Sequence, residues 1–204
     1  MKIATLSFAA ACLLAPVLAL AQAPAGAAPA PTFARGVIRK IDDKSVTLKG
    51  ADGKLSSYAL AKDWTVNLLK PVSVKAIQPG SFIGTAEMPQ ADGTGRSLEV
   101  HVFPPGVKAG EGHYPWDSQQ GAMMTNGTVG KVVSGAKGRT LTVTYPRGER
   151  QIVVPKGVPI VQFSDGDRAL VKPGIPAFLL VLQTPEGPMT PSISIGVNGA
   201  KPPM

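Results

Sequence analysis

The chain has almost no cysteine. Its 204 residues include one, Cys12. That residue lies in an N-terminal segment with the marks of a removable leader, so the mature chain is expected to hold no thiol. Disulfide frameworks and thiol nucleophiles are thereby excluded. Histidine is nearly as scarce, with His101 and His113 alone. No HExxH pair, GxSxG elbow or phosphate-cradling glycine loop occurs, and the acids fall at no spacing that pairs them for acid–base work. These absences point away from an enzyme. Aromatic residues make up 5% of the chain, too few for the stacking platforms that single-stranded nucleic acid requires. The apolar run near the N-terminus is short and interrupted by Pro16, so it does not read as a membrane span.

That same run reads as a secretory signal peptide. Lys2 supplies the charged start, and Ala19-Leu20-Ala21 places small residues at the cleavage positions. Residues 1–21 are therefore expected to be removed, with the mature protein in the periplasm or secreted. Residues 22–35 are Ala/Pro-rich at their start and read as a disordered spacer. Residues 198–204 read as a disordered tail. The formal net charge is +8, and loss of Lys2 lowers it by one. The basic residues are spread along the chain. An envelope protein or an anionic ligand suits such a balance.

The rest of the chain repeats itself. Gly36–Asp42 (GVIRKID) matches Gly127–Val133 (GTVGKVV), and Ser45–Leu60 matches Thr140–Pro155. Lys75–Gly93 matches Arg168–Gly187, and Ser97–Val102 matches Ser192–Val197, all in the same order. Four blocks in order imply a duplicated unit. Ser45–Lys49 and Thr140–Thr144 alternate apolar and polar residues, the period of a half-buried strand. Asp52-Gly53 and Arg147-Gly148 are hairpin signals. Pro79-Gly80 and Pro173-Gly174 each stop a short helical turn. Pro and Gly, at 20 and 23 residues, are too frequent for long helices. The fold class is all-β, with two tandem small barrels over 36–103 and 127–197.

This pattern consists of Gly-x-Ile/Val-x-x-Ile, an alternating strand, an x-Gly-x hairpin, Leu/Ile-x-Pro-Gly, an Asp-Gly turn and a final Leu-x-Val strand. It resembles the bacterial exported "domain of unknown function" family 5666, over both copies. The resemblance implies OB-like β-barrels and no catalytic residues. This chain carries Ser81 and Ile175 where that family usually has Asp.

Between the copies, residues 104–126 form a linker that collects rare residue types. Tyr114, Pro115, Trp116 and Asp117 read as a structural clasp, because large apolar groups in a linker gain by burial against two small cores. Cu(I) favours thioether and imidazole ligands, so His113, Met123 and Met124, with His101, form an alternative metal set. Against it, adjacent methionines on an extended chain point to opposite sides. By alternation Leu98, Val100 and Val102 share one face and Glu99 and His101 the other, and His101 reads as a surface residue. The expected function is a non-catalytic exported binding or structural module of the bacterial envelope, without a cofactor. The alternative is a periplasmic copper-binding protein.

Overall fold

The computed structural model describes residues 29–136 and 138–202. The leader, its cleavage site and residues 22–28 of the spacer lie outside the described residues. Among the described residues no helix is long and apolar enough to cross a membrane, and the chain is all-β.

Alternating residues give a first antiparallel meander, β1 (Thr32–Ile41), β2 (Ser45–Lys49) and β3 (Leu55–Pro71). A single 3-10 turn, Val74–Ala76, follows, and Pro79-Gly80 ends it with Gly80 at φ 85°. Next come β4 (Phe82–Pro89), β5 (Gly95–Ser97), β6 (Val100–Val102) and the short β7 (Gly112–Pro115). The second copy gives β8 (Met123–Gly135), β9 (Gly138–Tyr145), β10 (Gly148–Pro155) and β11 (Ile160–Gly166). Its 3-10 turn is Arg168–Leu170, followed by β12 (Pro176–Thr184) and β13 (Gly187–Gly196). Pro155 and Pro159 split into β10 and β11 what is one continuous strand, β3, in the first copy, since proline cannot donate to a ladder.

Element order repeats as the sequence implies, but neither meander is closed by the later strands of its own copy. β1, β2 and β3 close into a five-stranded barrel with β13 and β12 from the far end of the chain. β12 lies antiparallel to β1, and β13 lies parallel to β3. The second copy's meander, β8-β9-β10, meets the first copy's β5 in parallel and β4 antiparallel, and β4 also pairs with β5. The registers correspond. Val37↔Pro176 through Thr32↔Val181 has the same form as Thr128↔Phe82 through Met123↔Glu87. The boundaries 36–103 and 127–197 thus do not enclose self-contained units. A meander from either copy offers the same apolar face, so alternation alone leaves its closing partners open.

Three end assignments also change. Thr32–Arg35 belong to β1, not to a spacer, because they pair with Phe178–Val181. Met123–Asn126 belong to β8, not to the linker. In the tail, Ala200 packs on the core between the two sets of strands, and residues 203–204 lie outside the described residues.

The glycine that opens each copy has one cause. A Cβ on Gly36 would lie 2.5 Å from the Lys49 carbonyl oxygen, and one on Gly127 would collide with that of Thr144. At both sites the bent first strand passes too close to its neighbour for any side chain.

Three apolar clusters result. Ile38, Leu48, Val66, Leu179 and Ile193 fill the closed barrel. Ile83, Val129, Leu141, Val143 and Ile152 fill the second circuit of strands. The third, with Leu69, Ala86, Trp116, Met124, Val161 and Phe178, joins them. The same junction is spanned by β3 and β11, antiparallel from Val66↔Gly166 to Pro71↔Val161.

Candidate functional site

The segment between the copies folds onto this junction. β7 pairs with the start of β8, from Gly112↔Asn126 to Pro115↔Met123. Residues 116–122 turn the chain back, with the Trp116 amide donating to the Ala122 carbonyl at 2.9 Å. Trp116 is 8% exposed. Its ring lies 4.6 Å from that of Phe33 on β1 and packs with Leu69, Phe178, Ala86 and Met124. It therefore touches strands of both sets. Asp117 accepts a two-pronged contact from Arg35 at 2.7 and 3.1 Å. The Arg35 guanidinium lies over Trp116 at 5.7 Å and Phe178 at 5.2 Å. Burial raises the Tyr114 hydroxyl above its usual range. That hydroxyl donates to the Gly110 carbonyl and accepts from Asn126 Nδ2.

A second polar group closes one end of the other circuit. On β4, Ile83, Thr85 and Glu87 face inward by alternation, and Glu87 is fully buried. Arg150 Nε on β10 donates to Glu87 Oε1 at 2.8 Å. Thr125 Oγ1 donates to the same oxygen at 3.3 Å, which leaves Oγ1 to accept from His113 Nδ1 at 2.8 Å. Tyr145 stacks on His113, with ring centroids 6.2 Å apart. Gly95 must be glycine here, because a Cβ would overlap the Glu87 carboxylate. At the corresponding register position of the closed barrel stands Val181, opposite Thr32. The charge therefore has no counterpart at that position of the closed barrel.

This setting has a pH consequence. Desolvation lowers the His113 pKa from 6.5, opposed by Glu87 and aided by Arg150. The folded state thus binds the proton less readily than the unfolded chain. Stability is full above about pH 6.5 and falls as the pH drops below it toward the depressed folded value. Denaturant unfolding from about pH 8 to about pH 5 is expected to show that decline, and His113→Gln to flatten it. An equal slope in the variant would remove His113 from this role.

The third feature is a cleft of about 690 Å³ at the junction. Its walls are Pro71, Val72, Ala86, Leu98, Pro159 and Val161, with Ser118 at the rim and Lys201 from the tail. Glu99 lines it. Leu98 and Glu99 interrupt the strand expected over Ser97–Val102, which is why β5 and β6 are separate. Leu98 therefore leaves the face of Val100 and packs on the junction cluster. Thr85 Oγ1 and Ser97 Oγ both donate to the Glu99 carbonyl, at 2.6 and 2.9 Å, and fix this irregularity. The Glu99 side chain is 3% exposed, and neither carboxylate oxygen has a hydrogen bond. His101 Nε2 stands 3.2 Å from Oε1 but out of line for one. His101 is not on the surface as its alternation suggests. It is 2% exposed, because β11 runs beside β6 and sets the Phe163 ring edge-on at 5.6 Å.

The structure does not gather the four proposed metal ligands. Met124 lies in the junction core with Tyr114 and Trp116. By alternation along β8, Met123 shares the opposite face with Thr125, where His113 is. His101 is on β6, beside Glu99. Sequence reasoning missed Glu87, Glu99 and Arg150, since in the sequence each reads as part of an ordinary alternating strand. One signal was present: the copies differ there, charged Glu87 against apolar Val181. Compared with family models, curated proteins and solved structures, the chain matches none.

Proposed function

We propose that the protein is a non-catalytic exported binding module of the bacterial envelope, with its ligand site in the junction cleft. In this reading it contains two OB-type barrels that have exchanged halves of a duplicated unit. Each meander is completed by a parallel strand beside its third strand and an antiparallel strand beside its first, which is the OB-type circuit. That order agrees with the resemblance of both copies to an exported barrel family. The observation that carries the binding function is the cleft itself. It is of small-ligand size, mostly apolar, and holds one buried polar group.

The test is a ligand panel against protein taken from the periplasm, where its N-terminus is expected at Gln22. Six-carbon compounds with cationic, neutral and anionic head groups are titrated by calorimetry into wild type and Ser118→Trp. Ser118 is exposed at the cleft rim, so tryptophan there blocks entry without touching a core. At least one head-group class is expected to bind wild type and to be lost in the variant. Binding of none, or binding indifferent to the block, would overturn the cleft as a site.

A further inference from the structure

We infer that the junction cleft selects a small organic cation, an ammonium or guanidinium group on an apolar body. The inference rests on the cleft being the ligand site. A carboxylate offers about four acceptor positions, and those of Glu99 are unused at 3% side-chain exposure. A carboxylate removed from water in this way is unfavourable unless it is paired and hydrogen-bonded. His101 is close enough for Coulomb attraction but donates no aligned hydrogen bond. Lys201 lines the mouth, yet neither Glu99 oxygen accepts from it. What the carboxylate lacks is a pair of N–H donors, which an ammonium or guanidinium brings together with its charge.

The walls fix the rest of the ligand. Pro71, Val72, Pro159 and Val161 line the same cleft with hydrocarbon, so a bound cation gains by carrying an alkyl or aromatic portion. An anion would meet Glu99 repulsively. A metal ion would find two protein donors, Glu99 and His101, and no group of three His, Cys, Asp or Glu residues gathers among the described residues. Structural metal sites in proteins usually need more. The net positive charge of the chain favours anionic partners over its general surface, whereas the buried charged group of the cleft lining is the acid Glu99, with Lys201 exposed.

Hexylammonium chloride is the probe, with hexanol and sodium hexanoate beside it, each titrated into wild type, Glu99→Gln and Ser118→Trp. Hexylammonium is expected to bind wild type and to bind Glu99→Gln about tenfold more weakly or worse, since one charge-assisted contact is lost. Equal binding to wild type and Glu99→Gln, or none to wild type, overturns the cation selectivity. If hexanol or hexanoate binds and Ser118→Trp blocks it while hexylammonium does not bind, the cleft remains a site and its cation preference falls. If none of the three binds, both fall. Thermal unfolding supplies the second readout. Glu99→Gln removes a desolvated charge and is expected to melt at or above the wild-type temperature. A marked fall would make Glu99 a structural partner of His101 and overturn the inference.

Discussion

Produced separately, residues 29–108 and 109–204 are each expected to lack a cooperative unfolding transition, and mixing them is expected to restore it. The cut falls in the exposed loop after β6, so it removes no strand. The first fragment keeps Ile38, Val46, Leu48, Trp64 and Val66 of the closed barrel's core. It loses Val171, Leu179, Val181, Ile193 and Ile195. The second keeps Val129, Leu141, Val143 and Ile152 of the other core and loses Ile77, Ile83, Val100 and Val102. Each fragment would therefore expose half of two cores and several unpaired strand edges. A unit of this size has no stability to spare. Far-UV circular dichroism and urea titration of each fragment, then of the equimolar mixture, give the readout. A sigmoidal transition in either fragment alone would show that its strands can close on themselves.

The next largest effect is expected at Trp116. Trp116→Ala removes a ring that contacts Phe33, Arg35 and the core of both strand sets, and buried aromatic truncations cost about 3–5 kcal/mol. Trp116 Nε1 is buried without a hydrogen-bond partner, so the loss is one of packing and not of polar pairing. Trp116→Phe is accordingly expected to recover much of it. The Arg35–Asp117 pair is partly exposed and adds at most about 1 kcal/mol, so Asp117→Asn is expected to change little. Chemical denaturation of the three variants gives the comparison. A Trp116→Ala protein within about 1 kcal/mol of wild type would mean that the segment rests on the junction without holding it.

Much of the local structure was legible because it depends on near neighbours. Strand alternation, the Asp-Gly hairpins and the Pro-Gly stops each act over a few residues. Asp52 and Asp92 accept from the amides of Lys54 and Thr94 beside their turn glycines. The choice of partner strand depends instead on where a strand ends. β3 has 17 residues, which at 3.3 Å each is roughly 55 Å. That is long for one side of a small barrel, so Pro71 delivers the chain to the other set of strands. No residue within β3 marks that outcome. The only counterpart to its length is the pair of prolines that divide the second copy's strand.

The candidate site was legible in part for a related reason. Trp116 and His113 stood out because their types are rare in this chain. Glu99 did not, since one acid in an alternating strand is the ordinary sign of a wet face. Its burial comes from β11, about sixty residues further along the chain, lying against β6. Met123 and Met124 invited a metal, and the strand period divided them. The same rule placed Met124 with Trp116 and left Met123 on the His113 side.

The exchange of strands also sets a timetable. The second circuit has its strands once β10 ends at Pro155 and its core once Ile160 is added, while the closed barrel waits for β12 and β13 and cannot form until Gly196 has been made. During synthesis β1, β2 and β3 are the first strands available and among the last to find their partners. For most of that interval they stand as an open meander with two free edges. The first part of the chain to appear is thus the last to be protected, and a chain that stops short of its final strand leaves its beginning exposed to proteases.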